Sequence, residues 1–357
     1  MKTYTKFLIS IFLNSIFNVF LIMFSLIFIL NLLTELEFFK EIQVSIYYPI
    51  YFSFLNTPSF IFDVFPFVFL LSTQLFFNDL FDNNQIDILK YSGLKNSKIL
   101  SIINITAFLL GVIIIFFFYN LSSNVKSLYL ELKTNYTKDD KYLAVITNNG
   151  LWIKDSINSK ILMINAAKID QNFLIDTYIS EFNQNFEIIR NIKSKKIDIS
   201  TNEWLIYNAE IFEQNYKKDE KIFKLNTNFN YNIIQNLFSN LSSLSFLDLW
   251  DMRNNYKKLN YSLTDVDLQL MKLITYPVYL VLMTMLSSII MLNTKKFGNR
   301  YAKIVLGLFC SVVIYYLSNF FYVLGSTEKI NLVGSIIIPL LILSLINIYF
   351  VRNINAK

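Results

Sequence analysis

The chain has 357 residues, 54% of them hydrophobic and only 16% charged, with 35 Phe and 22 Tyr. Soluble chains carry about 25% charge, so an ordinary soluble globular protein is excluded, and seven glycines and five prolines exclude collagen-like or low-complexity disorder. The absence of histidine removes the side chain most used for proton transfer near neutral pH, and a lone Cys310 leaves neither an intramolecular disulfide nor a thiolate metal cage.

Phe7 to Leu33 is an uncharged run longer than the roughly 20 residues that cross a bilayer core as a helix. It exceeds a signal-peptide core and lacks a small-residue cleavage site, so it reads as a retained span. Pro58 to Phe77, interrupted only by Asp63, is a second span, and Ile99 to Leu121 a third. Between the second and third, Asn83 to Tyr91 reads as a short amphipathic helix ending near Gly93, with Ile86, Leu89 and Tyr91 as its apolar positions.

Charges then recur every few residues from Ser122 to Val266 and no span fits. Short runs rich in β-branched and aromatic residues predict strands at Tyr142–Thr147, Leu151–Lys154, Ile161–Ala166, Thr177–Phe182, Phe186–Ile192, Trp204–Phe212 and Ile222–Leu225. Turn clusters separate them, among them Asn148-Asn149-Gly150, Asp155-Ser156-Ile157-Asn158 and Asn183-Gln184-Asn185. The spacing predicts a sandwich or jelly roll. Helices are expected at Ser245–Leu259 and Ser262–Met271, with Ser262 and Asp265 as a capping pair. Leu273–Thr294, Ile304–Leu324 and Ile330–Val351 are three further spans.

The fold class is therefore an α-helical membrane protein with six transmembrane helices plus an inserted all-β domain. Its parts are three spans with a cytoplasmic helix (1–121, helix about 83–93), the β insert (122–258) and three more spans (259–357). Eleven Lys and Arg fall in the segments on one side of the membrane and two, Lys40 and Lys329, in the short loops on the other. The positive-inside rule then puts both termini in the cytoplasm and the insert outside. Within residues 122–266 there are 18 basic and 17 acidic residues, which leaves no electrostatic footprint for nucleic acid.

Little of the chain carries chemistry. There is no Gly-Lys-Ser or Gly-Lys-Thr phosphate loop, no Gly-x-Ser-x-Gly elbow and no HExxH, so no catalytic residue, cofactor or metal site is expected. Asp63 is the one acid within a span. It has two readings: an interfacial residue near Pro58, or a member of a proton or substrate path. Asn14, Asn18, Asn31, Asn319 and Asn347 read as interhelical hydrogen-bonding groups.

The layout and several strings resemble one family, the LptF/LptG permeases that extract lipopolysaccharide from the Gram-negative inner membrane. Pro58 and Pro66 stand eight apart as in that family. Asn84-Gln85-Ile86-Asp87-Ile88-Leu89-Lys90-Tyr91-Ser92-Gly93 is similar to its Ser-Glu-Leu-x-x-Met-Arg-x-x-Gly coupling helix, and Gly150-Leu151-Trp152-Ile153-Lys154-Asp155 to a Gly-Leu-Trp-x-Lys-Asp string that opens its β-jelly roll. Leu244-Ser245 with Leu249, Pro277, Gly325 and Pro339 also match. The Gly-Leu-Trp string and Leu33-Thr34-Glu35-Leu36 are closer to LptG than to LptF.

The resemblance implies a non-enzymatic permease subunit of an ABC-type export complex in the cell inner membrane. It would pair with an LptF-like paralogue around a lipid-sized cavity that opens between spans one and five. An LptB-like ATPase dimer would act on Gln85, Asp87, Lys90 and Gly93, and an LptC-like periplasmic protein would receive lipopolysaccharide or a related glycolipid at the jelly roll, whose motif residues here are Trp152, Lys154 and Asp155. Gln85 replaces the family's acid, which weakens a charge-assisted contact, and Lys90 replaces an arginine, losing a bidentate fork. Where the family has lysines for lipid phosphates near the end of span one, this chain has Asn31 and Glu37, leaving Lys40, with Asp63, as lipid-binding candidates. The alternatives are a secondary transporter with Asp63 as coupling acid, and a membrane protein whose β domain binds an external ligand.

Overall fold

The structure is a computed structural model that describes residues 3–41, 44–134, 136, 151–157, 160–170, 172–213, 216–231, 234, 240–258, 262–292 and 300–352. The predicted strand Tyr142–Thr147, the Asn148-Asn149-Gly150 turn and Thr294 lie outside these residues. The chain divides into two compact units, residues 1–126 with 264–357, and residues 127–263.

The first unit is helical. α1 (Thr3–Phe38) ends in a 3-10 turn at Phe39–Glu41; α2 (Tyr47–Asp82) is followed by the short α3 (Gln85–Tyr91). α4 (Asn96–Ile113) continues through a π-helical turn at Ile114–Tyr119 into α5 (Asn120–Thr134). Among the described residues six helices are long and apolar enough to cross a membrane: α1, α2, α4–α5, and, after the insert, α7 (Thr264–Leu292), α8 (Arg300–Ser326) and α9 (Leu332–Val351). α6 (Phe246–Lys258) belongs to the second unit.

The helices outrun the apolar windows that predict them. α2 begins eleven residues before Pro58 and passes through both prolines. A proline lacks the N–H that would bond the carbonyl four residues back. For Pro66 that carbonyl belongs to Phe62, and the Tyr276 hydroxyl of α7 donates a hydrogen bond to it. Neighbouring helices make intramembrane prolines tolerable in this way. The predicted helix Ser262–Met271 is the first part of α7 and runs directly into the fourth span, as its position next to that apolar run leads one to expect. Reciprocal capping occurs at Ser245 and Asp248, where the Asp248 carboxylate accepts from the Ser245 N–H (3.2 Å) and Ser245 Oγ accepts from the Asp248 N–H (3.3 Å).

Close helix approach is set by small residues. A Cβ at Gly111 of α4 would stand 2.9 Å from Pro277 Cα of α7. At Gly307 of α8 it would meet the Gln74 amide of α2, whose Nε2 donates to the Lys303 carbonyl (3.0 Å). Ser287 Oγ of α7 donates to Leu70 O of α2 (2.7 Å) and Asn347 Nδ2 of α9 to Leu282 O of α7 (3.0 Å). Such small residues and interhelical hydrogen bonds hold helices together in lipid, where the hydrophobic effect between them is lost.

The second unit carries an antiparallel sheet: β1 (Leu151–Ile157), β2 (Lys160–Asp170), β3 (Phe173–Phe182), β4 (Ile188–Asp198), β5 (Glu203–Glu213) and β6 (Tyr216–Asn226), hydrogen-bonded in that order. An all-β insertion in a helical protein is what the sequence predicts. The strands are longer than their apolar runs because one face is solvated, so Lys193, Lys195 and the Lys217–Lys221 charges belong to strands as well. The other face buries Leu151, Ile153, Ile164, Ile179, Ile192, Ile206 and Trp204, whose indole N–H donates to Phe229 O (2.8 Å). Asn183 closes the β3–β4 hairpin, its Oδ1 accepting from the N–H groups of Asn185 and Glu187 (both 2.9 Å).

Candidate functional site

Two regions of the helical unit carry candidate function. The first is α3. Ile86 and Leu89, three residues apart, are buried and fasten the helix on one side. Tyr91 does not share that side: it is 92% exposed and Ile88 63% exposed. From Leu89 to Tyr91 is two residues, about 200° of helical rotation, so the sequence expectation that groups Tyr91 with the buried positions is corrected. Asp87 and Lys90 are exposed between these apolar residues. Gln85, at the first position, is half-buried, and its side-chain oxygen has no partner among the described residues.

The helix ends sharply. Gly93 has φ +83°, a conformation costly for any residue with a Cβ. Its N–H bonds Lys90 O (2.9 Å) while the Leu94 N–H bonds Leu89 O (3.0 Å), the paired closure of a Schellman motif.

The second region lies among α2, α7, α8 and α9. Asp63 is ion-paired: its Oδ1 is 3.0 Å from Lys272 Nζ, the two side chains being 53% and 39% exposed. The pair stands on a cavity of about 600 Å³. Lys272, Asn319 and Tyr322 bring polar groups to it, while Phe67, Met283, Val312, Pro339 and Leu340 give apolar wall. Tyr279, Tyr315 and Tyr316 complete an aromatic lining. Lys272 stands immediately before the apolar run Leu273–Thr294, where nothing local sets it apart from an ordinary flanking charge. The missing signal was Asp63 itself, because an acid within a span calls for a cationic partner.

A third polar group joins the first three spans. Lys126 Nζ of α5 donates to Asn56 Oδ1 of α2 and lies 5.4 Å from the Phe60 ring centre. Asn56 Nδ2 lies 3.5 Å from Asn31 Oδ1 of α1, and Asn31 Nδ2 donates to Thr57 Oγ1 (3.3 Å). α1 continues one turn past this point, beyond the Leu33 end of its uncharged run, and buries Glu35. Lys40 is exposed in the turn after α1. Asn31 and Asn347 therefore bridge helices as expected. Asn14 and Asn18 are exposed on α1, with no partner among the described residues.

In the sheet, alternation parts the three motif residues. Trp152 and Lys154 lie on the exposed face of β1, opposite Asn165 and Met163. Asp155 points to the buried face, where its two oxygens accept from the Asn228 N–H (2.9 Å) and Nδ2 (2.8 Å). On β3, Glu181 is buried between Lys160 and Arg190, each 2.5 Å away. Burial raises its pKa, but the hydrogen bonds and charges of those two cations outweigh it and hold the carboxyl below its ordinary value.

Among the described residues no cluster of His, Cys, Asp or Glu could hold a metal, and the arrangement assembles no nucleophile with a base. It is a spanning helix bundle with a docking-sized helix at one loop and a cavity inside. No curated protein matches the chain. The sequence profile described as lipopolysaccharide export system permease LptF/LptG matches residues 6–353. The chain thus belongs to the LptF/LptG family of lipopolysaccharide export permeases, as a multi-pass inner-membrane protein and a non-catalytic permease subunit.

Proposed function

We propose that the protein is one of two permease chains of an ABC-type exporter that extracts lipopolysaccharide or a related glycolipid toward a periplasmic bridge, and that it is the LptG-like chain. The observation that carries the reading beyond family membership is α3: pinned on one side by Ile86 and Leu89, it leaves Ile88 and Tyr91 bare on the other. An exposed apolar pair on a short fastened helix suits a partner's groove. An LptB-like ATPase dimer is that partner, with Gln85, Asp87 and Lys90 as the polar rim and Gly93 fixing the helix end. Lys and Arg asymmetry supports both termini in the cytoplasm and the β insert in the periplasm, where its sheet would meet an LptC-like protein by strand addition.

A second chain is supported by α1. Asn14 and Asn18 sit one turn apart on an exposed face of a spanning helix, and amides at that depth favour a neighbouring helix over lipid. An LptF-like paralogue would cover them. Lys40 and Asp63 remain the sequence-derived candidates for lipid contact. The secondary-transporter reading is less well supported, because it needs a free coupling acid and Asp63 is ion-paired with Lys272.

The test is co-purification in mild detergent. The wild-type chain should carry an LptB-like ATPase and a homologous permease, and Ile88→Asp with Tyr91→Asp should release the ATPase while retaining the permease. Recovery of the chain alone, or an ATPase held equally by the double variant, would refute the reading.

A further inference from the structure

The cavity among α2, α7, α8 and α9 is built within one chain, and neither the export reading nor a paired subunit is needed to form it. About 600 Å³ falls within the range of roughly 300–1,000 Å³ for a site that takes one drug-sized ligand. That suits one chain and head of an amphiphile, with the cavity open along the exposed Val312, Tyr315 and Tyr316. Its length follows α7: from Lys272 to Met283 is eleven residues, about 16 Å at 1.5 Å per residue.

The polarity is graded along that length. Lys272 lies eight residues into α7, about 12 Å from its start, and Tyr322 of α8 lines the same cavity as Lys272 and Asp63. Asn319 lies one turn from Tyr322 on α8. At the far end stand Met283, Val312 and Leu340.

The charge pair at the polar end is only partly used. Lys272 has three N–H donors and spends one on Asp63 Oδ1, and both side chains stay substantially exposed. Asp63 Oδ2 has no protein partner among the described residues. A cation and an anion held side by side and still open are complementary to a headgroup carrying an anion and a cation side by side. Four such charges alternate in sign around a ring, and each loses less by leaving water because it gains two opposite neighbours. A purely anionic headgroup would satisfy Lys272 but face Asp63, with Asp265 and Asp267 in the first turn of the same helix.

We propose that this cavity binds one zwitterionic amphiphile bearing a phosphate and a primary ammonium. The phosphate meets Lys272 and Tyr322, the ammonium donates to Asp63 Oδ2, and one acyl chain runs toward Met283 and Val312. A primary ammonium has N–H donors for the carboxylate, whereas a quaternary one has none.

The test uses the full-length chain in nanodiscs of phosphatidylethanolamine, phosphatidylglycerol and phosphatidylcholine in equal parts with identical oleoyl chains, followed by gentle release and mass spectrometry of retained lipid. The wild type should retain one phosphatidylethanolamine in preference to each of the others by about tenfold. Asp63→Asn should abolish the preference over phosphatidylcholine, and Lys272→Gln should lower retention of all three. Val312→Trp, which fills the apolar end, should release the lipid although Asp63 and Lys272 are both still present. Soluble phosphoethanolamine at millimolar concentration should not displace it, since the acyl chain supplies the remaining affinity. Equal retention of the three lipids, a preference that survives Asp63→Asn, or displacement by the free headgroup would each overturn the proposal. None of these outcomes depends on a partner chain or on ATP, so the export reading stands or falls separately.

Discussion

Tyr276→Phe isolates one hydroxyl in the middle of the helix bundle. The Phe62 and Tyr276 rings are stacked with centroids 4.6 Å apart and planes 16° apart, and the substitution keeps that contact. What it removes is the donor to Phe62 O, the carbonyl that Pro66 cannot serve. An unsatisfied buried carbonyl costs about 1–3 kcal/mol in proteins generally, while interhelical hydrogen bonds in membranes average about 0.6 and reach about 1.7. The expected loss is therefore about 1–2 kcal/mol. Pro66→Ala gives α2 an N–H of its own at that turn, so the loss from Tyr276→Phe should shrink to about 0.5 kcal/mol or less in that background, a coupling of about 0.5–1.5 kcal/mol against the roughly 0.3–0.5 kcal/mol by which independent sites fail to add. Reversible unfolding of the four proteins in mixed micelles gives the cycle. A Tyr276→Phe loss that is the same with and without Pro66 would refute the assignment of the hydroxyl to the proline gap.

Gly111→Ala should destabilise the bundle by about 1–3 kcal/mol, read as a lower midpoint in the same unfolding assay, because the new Cβ meets the Pro277 backbone at 2.9 Å. Gly93→Ala must place a Cβ residue at φ +83°, at about 1–2 kcal/mol, and hydrogen exchange at the Leu94 amide should quicken by about tenfold or more. Unchanged exchange there would argue against the Schellman closure of α3. Glu181 is expected to give the β insert a stability that depends on pH. Its folded pKa lies below its unfolded one, so the contribution is present above the unfolded value and lost as pH falls through the folded one. Trp204 fluorescence during denaturation at descending pH should show that loss, and Glu181→Gln should flatten it.

Much of the architecture follows from local chemistry. Apolar runs of spanning length, five of them uncharged and one broken only by Asp63, predict all six helices because lipid admits no unsatisfied backbone, and a helix bonds its own. Alternation and turn residues likewise predict the strands around Ile164, Ile179 and Ile206, since burial of one sheet face imposes a period of two. The length of α2 was not readable in this way: Pro58 looks like a boundary, and only the donor from Tyr276, 214 residues away, shows why the helix can contain Pro66. Asp63 was visible as an acid in a span, but its partner Lys272 lies beyond the insert and reads locally as a flanking charge.

The linear chain by itself determined which stretches enter lipid, which form strands and where the basic residues gather, because hydropathy, side-chain period and charge are properties of neighbours in sequence. Only the tertiary structure decided that Asp63 is paired with Lys272, that Phe62 O has a donor, and that four helices line one cavity. Each of these is a relation between residues tens to hundreds of positions apart, and no local pattern encodes the geometry that brings their atoms within about 3 Å, the distance at which a hydrogen bond or ion pair forms.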